Sequence, residues 1–356
     1  MPNVQTNKMQ RILEITVKEK ASDLHLSFGH PPVLRIDGRL IPLIKEPVLT
    51  EKLLKELAFS IMTEDQKKSL PLKKEIDFSY TIRDGSRFRV NIFYQMRNLA
   101  VVLRFIPSKI LTIDELNLPS AVHEFAKASQ GLVLITGPSG HGKSTTLAAI
   151  IDEINHTRTD HVVTIEDPIE YVFTDDLSIV DQREVGQDTP SFDSALRSVF
   201  RQDPDVIMIG EMRDLKTMAV ALTAAETGHL VLSTLHTNSA AQTVNRIVDS
   251  FPASQQGQIL SQLSTSLLGI VSQRLIPRNR GGLIPATEIM FSNSAIANLI
   301  REKKIYEIPL VIETSAEKGM VSLNRSLANL VRAKEITVEN AINYSLNPNE
   351  LRSLVR

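Results

Sequence analysis

The chain has 356 residues, 42% of them hydrophobic, and 40 Lys and Arg against 41 Asp and Glu give a formal net charge of −1. Tight nucleic-acid binding draws on cations in excess, so this balance argues against a recombinase or helicase and we expect no nucleic-acid partner. With no cysteine there is no disulfide, zinc ribbon or thiol chemistry.

The length predicts two domains. Residues 7–20 read as a helix, with Ile12, Leu13 and positions 15–17 mostly apolar. The segment around Glu14, Lys18 and Glu19 carries no signal-peptide core, and no run approaches the roughly twenty apolar residues of a membrane span. A cytoplasmic protein without direct membrane insertion is expected. Strands at 23–28, 33–36 and 40–43 are separated by turns at His30-Pro31-Pro32 and Asp37-Gly38. Thr50 or Glu51 opens a helix to Ile61, and strands at 77–82, 87–94 and 100–105 complete an α+β region, with a hairpin signal at Asp84-Gly85. In the 87–94 strand Phe88, Val90, Ile92 and Tyr94 share one face, and Arg87, Arg89, Asn91 and Phe93 the other. Arg104 lies on the polar face of the next strand and Arg97 in the turn between them. Such guanidiniums make either a solvated basic face or a set for bidentate phosphate contact. Residues 107–112, where proline enters and periodicity stops, are the expected hinge between domains at 1–106 and 113–356.

Residues 131–136 form a short apolar run, as a buried parallel strand does. Gly137, Pro138, Ser139, Gly140, His141, Gly142, Lys143 and Ser144 follow, then Thr145. This is the spacing of a phosphate-binding loop, G-x-x-x-x-G-K-[ST]. Its glycines let backbone N–H groups turn inward around a phosphate. Lys143 is placed to reach the β/γ-oxygens of ATP, and the Ser144 hydroxyl to reach Mg²⁺. A helix from 144 to 155 adds its N-terminal dipole.

A second strand at 161–165 runs into Glu166, Asp167 and Glu170, acids at the sheet end where ligands bind. Glu166 is a candidate for Mg²⁺ through water. A third strand at 206–209 leads to Gly210 and Glu211, a Walker B variant. Asp214 caps a helix whose inner face is Leu215, Met218, Ala219 and Leu222, and Gly228 ends it. A fourth strand at 229–233 brings Ser233, Thr234, His236 and Thr237 to its C-terminal end, with His229 and His236 both expected at the sheet end of the other boxes. Strand and helix thus alternate in an α/β core at 132–291, and the chain reads as mostly helical from 254, with helices near 254–271, 294–302, 320–333 and 338–345.

These four boxes together resemble the secretion ATPase superfamily, in particular the type IV pilus retraction ATPases (the PilT family). The Ala21-Ser-Asp-Leu-His-Leu26 opening and the Ser294-Ala-Ile-Ala-Asn-Leu-Ile-Arg-Glu302 helix carry the same likeness, although that branch usually has arginine where Ala297 stands. The resemblance implies a RecA-like core, a PAS-like N-terminal domain and a helical region at 292–356. It implies an ATP-hydrolysing homohexamer, peripheral to the inner membrane, driving pilus retraction and twitching motility through a platform protein of that membrane, with a paralogous retraction ATPase as a further partner. It implies Glu170 and Glu211 as candidates for activating water, and His236, with His229, for sensing the γ-phosphate. In a ring, Arg89, Arg97 and Arg104 become candidates for action on a neighbour's nucleotide. The alternatives are an accessory PilU-like retraction ATPase, a pilus extension or type II secretion ATPase, which usually carries a four-cysteine module, and a nucleotide-gated assembly protein with little turnover.

Overall fold

The computed structural model describes residues 4–36, 38–106 and 109–355. The chain divides into two compact units, one of residues 1–109 with 168–172, the other of 110–167 with 173–356. Position 37 of the expected turn and positions 107 and 108 of the expected hinge lie outside the described residues.

The first unit contains α1 (Val4–Lys18), β1 (Asp23–Ser27), β2 (Val33–Ile36), β3 (Arg39–Pro42), α2 (Glu51–Ser60), α3 (Glu64–Lys73), β4 (Glu75–Thr81), β5 (Arg87–Gln95) and β6 (Asn98–Ile106). Its antiparallel sheet has the order β3-β2-β1-β6-β5-β4. The period-two pattern of β5 buries Phe88, Val90 and Ile92, and these share a core with Leu24 and Leu26 of β1 and Leu54 and Leu57 of α2. α3 has no counterpart among the expected elements. Only Leu70 of it is buried, so its sequence shows no apolar stripe, and it depends on a capping box between Thr63 and Gln66. At the opposite edge β3 is exposed along its length, with Leu40 at 55% and Ile41 at 44%.

The second unit runs α4 (His123–Lys127), β7 (Gly131–Thr136), α5 (Lys143–Thr157), β8 (His161–Glu166), β9 (Ile179–Glu184), α6 (Phe192–Val199), β10 (Val206–Ile209), α7 (Leu215–Glu226), β11 (Leu230–Leu235), α8 (Ala240–Asp249), α9 (Ala253–Ser266), β12 (Leu267–Pro277), β13 (Leu283–Phe291), α10 (Ser294–Arg301), α11 (Ile308–Thr314), α12 (Leu323–Arg332), α13 (Val338–Tyr344) and α14 (Pro348–Leu354). The sheet order is β13-β12-β7-β11-β10-β8-β9. All neighbours are parallel except the β12–β13 hairpin. β7, β8, β10 and β11 are buried on both faces, which is why they read as continuous apolar runs. Because β7, β11, β10 and β8 are adjacent and parallel, the loops after them share one rim.

The helix expected over 254–271 ends at Ser266, and the stretch from 267 to 291 is a hairpin, not helix. A short apolar run fits either period. Gly269 decides it locally: a Cβ there would stand 2.5 Å from the Phe125 ring and 2.6 Å from the Met290 carbonyl oxygen, a close approach of chains that only glycine permits. Asp214 caps α7 through the N–H groups of Lys216 and Thr217, but Leu215, expected on the inner face, is 44% exposed. Among the described residues no helix is long and apolar enough to cross a membrane.

One buried acid in this unit gives a testable pH dependence. Glu288 of β13 accepts the Ala240 N–H at 2.7 Å, and burial pushes its carboxyl up to about 7, against the pull of that bond and of Arg274. The folded state therefore holds a proton that the unfolded chain releases near the ordinary value, and stability falls as pH rises from there towards 7. Glu288→Gln, which cannot ionise, is expected to flatten this slope, gaining about 3 kcal/mol relative to wild type between pH 5 and 8. Urea unfolding at the two pH values measures it, and parallel profiles would reject it.

Candidate functional site

The loop between β7 and α5 is shaped by glycines where no other residue fits. Gly137 has φ 145°, and a Cβ on it would lie 2.3 Å from the Gln273 carbonyl oxygen of the neighbouring strand β12. Gly142, at φ 79°, lets the chain turn directly into α5. Lys143 is then the first residue of the helix and is buried, at 8% exposure. Its ammonium donates to the carbonyl oxygens of Gly137 and Pro138, both at 3.0 Å, so the charge sits in the mouth of the loop. Ser144 is exposed in the first turn, and Ser139 and Gly140 form the rim beside it. A cation inside a loop at the N-terminus of a fifteen-residue helix is a site for polyphosphate.

His236, just after β11, joins this loop to the end of β10. Its Nδ1 is 3.3 Å from the Ser139 hydroxyl and 3.5 Å from the Lys143 ammonium. Its Nε2 is 3.2 Å from a Glu211 carboxylate oxygen. The other oxygen of Glu211 accepts from Arg213 Nε at 2.9 Å. Side chains lace these strand ends together: the Thr234 hydroxyl donates to the Gly210 carbonyl oxygen and the Ser233 hydroxyl to that of Ile209, each at 2.7 Å. A cavity of about 500 Å³ opens here, lined by Glu211, Arg213, His236, Thr237, Gln242 and Arg246 among others. Arg213 was not among the sequence candidates; its place two residues after Glu211, where strand turns to helix, was the available signal.

Glu166 ends β8 and is buried. It accepts from the Thr164 hydroxyl at 2.7 Å and from Gln182 Nε2 at 3.2 Å. Gly210 packs on it: a Cβ there would stand in ordinary contact, 3.5 Å from the Glu166 Cα. Among the described residues no group of three His, Cys, Asp or Glu side chains could cage a metal. The chemistry of the donors fits Mg²⁺ all the same, because that ion in a nucleotide site keeps its waters and takes phosphate oxygens with one or two protein ligands. Ser144 and Glu166 supply a hydroxyl and a carboxylate.

The other expected site residues divide between the far end of this sheet and the first unit. His229 precedes β11, at the end of the sheet opposite to His236, contrary to the expectation that both share the rim. Six strand residues between them put roughly 20 Å between the two. His229 Nδ1 packs on the Ala224 carbonyl oxygen at 3.0 Å and its ring lies edge-on to Phe200. Glu170 lies in the 168–172 segment that groups with the first unit, with its carboxylate 3.9 Å from Arg89. Arg89 and Arg104 do share a sheet face, as directly paired residues of β5 and β6. Arg104 is engaged by the buried Asp23 at 2.9 Å. Arg97 is not part of that group: it sits at the hairpin tip with φ 70°, roughly 20 Å along the strands from the pair.

Comparison with known proteins extends this picture. Residues 3–346 match the family described as type II/IV secretion system protein. The chain is 48% identical to the type IV pilus retraction ATPase PilT of Pseudomonas aeruginosa, over 93% of this chain and 96% of that protein. It is 40% identical to the type IV pilus ATPase PilU of the same organism, over 98% of this chain and 91% of that one. A crystal structure of the pilus retraction motor PilT with bound ADP superposes with a TM-score of 0.91 at 47% identity, covering 97% of this chain and 98% of the other.

Proposed function

We propose that this chain, which belongs to the type II/IV secretion system protein family, hydrolyses ATP to drive retraction of a type IV pilus. The observation that carries this reading is the bonded path from Lys143 through His236 to Glu211, on one rim of a parallel sheet. It is supported by the likeness to PilT over nearly the whole of both chains.

The loop residues Gly137 to Thr145 wrap the phosphates of ATP, and Lys143 neutralises charge on the β- and γ-oxygens. Ser144, with Glu166 through water, holds Mg²⁺, which when bound screens the phosphate charge. Phosphoryl transfer needs positioning and charge stabilisation more than covalent chemistry from the protein. Glu211 therefore orients the attacking water, and His236 reads the γ-phosphate, since it touches both the loop and Glu211. Glu170 is the second carboxylate candidate. Residues 107–112 act as the hinge of the power stroke. The working form is a homohexamer at the cytoplasmic face of the inner membrane. There it engages the pilus platform protein and, in some hosts, a paralogous retraction ATPase. Arg89 and Arg104 are the arginines suited to act on a neighbouring subunit's nucleotide. Likeness to PilU keeps the accessory retraction role as the second reading.

The test pairs phosphate release by the purified protein with deletion in the host. ATP turnover, together with hyperpiliated, non-twitching cells, is the expected result. Loss of surface pili would instead assign extension, and nucleotide binding without turnover would assign a gated assembly protein.

A further inference from the structure

We propose that Gln273 is a positioning residue for the phosphate-binding loop, bonding the middle of the loop and the first turn of the following helix to β12 so that the loop backbone is set before nucleotide arrives. The inference rests on the ATP-hydrolysis reading above.

Gln273 is 2% exposed, on β12 one residue past Ser272, which pairs with the last residue of β7, Thr136. Its Nε2 donates to the His141 carbonyl oxygen in the middle of the loop at 2.7 Å. Its Oε1 accepts from the Thr146 hydroxyl, in the first turn of α5, at 2.8 Å. The orientation of the amide follows from its partners: a carbonyl oxygen only accepts, so the nitrogen must face His141 and the oxygen is left for Thr146. The backbone of the same residue floors the loop entrance, where Gly137 comes against the Gln273 carbonyl oxygen. One residue beyond the next, the Leu275 N–H donates to His141 Nδ1 at 2.9 Å, a second tether on the same loop residue.

The middle of the loop and the start of α5 are thus bonded to one strand, against which the loop entry packs closely. Gly137, His141 and Thr146 are far from Gln273 in sequence, and a free glycine-rich loop would have to be ordered by its ligand at an entropic cost. No other side chain does what this one does. Asparagine is a methylene short, and glutamate sets an acceptor against the His141 carbonyl oxygen. Loss of the amide leaves that half-buried carbonyl and the buried Thr146 hydroxyl without this partner, a penalty that falls on the loop.

The experiment uses the full chain with excess Mg²⁺, reading the Kd of ADP labelled with a fluorescent N-methylanthraniloyl group, the KM and kcat for ATP, and Tm. Gln273→Ala is expected to raise Kd and KM about tenfold while kcat at saturation stays within about threefold of wild type. Thr146→Val, which keeps shape and removes only the hydroxyl, is expected to raise both about threefold. The double variant should be no weaker than Gln273→Ala alone, because the bond from Thr146 is already lost in Gln273→Ala. A lower Tm with unchanged Kd and KM would show that Gln273 only packs the strand, and additive effects would show separate roles; either overturns the proposal. Should Gln273→Ala not fold, an unchanged Kd in Thr146→Val rejects it. If wild type binds the labelled ADP but releases no phosphate from ATP, the motor reading fails, while the Kd comparison still decides the role of Gln273.

Discussion

Lys143→Ala is expected to abolish ATP turnover, lowering kcat by at least about 10²–10³, with the fold retained. The lysine is the first residue of α5, and its ammonium holds the Gly137 and Pro138 carbonyl oxygens. Those carbonyls border the exposed Ser139 and Gly140, so water can replace the ammonium at small cost. Nothing replaces it in the transition state, where negative charge spreads over the oxygens it faces. The side chain also approaches His236, so its loss removes one of the two contacts, the other being from Ser139, that join the loop through His236 to Glu211. Phosphate release, far-UV circular dichroism and Tm measured on the same preparation check this. Full turnover in the variant would remove the loop from the mechanism.

Glu211→Gln is expected to lower kcat by about 10²–10³ while ATP still binds. Glutamine keeps the size and one acceptor, but a Glu211 carboxylate is bracketed by His236 on one oxygen and Arg213 on the other. An amide has to turn its NH₂ towards one of them. Charge and alignment are lost together, and neither lies in the part of the site that holds the phosphates. Glu170→Gln serves as the comparison, since Glu170 faces Arg89 and groups with the first unit. A trapped ATP complex, seen as stoichiometric nucleotide retained after gel filtration, is the signature in both. A larger loss of kcat in Glu170→Gln than in Glu211→Gln would make Glu170 the water-activating group.

The phosphate loop, the four strands that carry the boxes and the family were readable in the amino-acid order, because a parallel strand buried on both faces is a continuous apolar run and the boxes lie at its downstream end. What could not be read depends on atoms distant in sequence. Gln273 meets Thr146 and His141 across separations of 127 and 132 residues, and nothing local marks it. The helix-to-strand change at Leu267 hides in a run that suits both periods. His229 was misplaced because nearness in sequence was read as nearness in space: a residue at the start of a strand and one past its end stand on opposite rims, whichever residue begins the strand. Arg97 stands in the turn where it was expected, but a turn lies at the hairpin tip, and grouping it with Arg89 and Arg104 overlooked the length of strand between them and the tip.

The outermost strand of the first unit has a practical bearing on any study of assembly. β3 leaves one side of its backbone without a strand partner in the sheet order, and Leu40, Ile41 and Ile44 beside it are exposed, the last at 84%. An open ladder flanked by apolar side chains templates further strands. Arg39 at its start and Pro42 at its end are the residue types that discourage such pairing, and they leave only a short stretch for it. Self-association of the purified protein therefore has a route that is indifferent to nucleotide and grows with concentration, and pairing of β3 with the same strand of a second copy closes at two chains. Particle size alone cannot be equated with ring formation; a ring is distinguished by the number of chains at which the mass stops increasing.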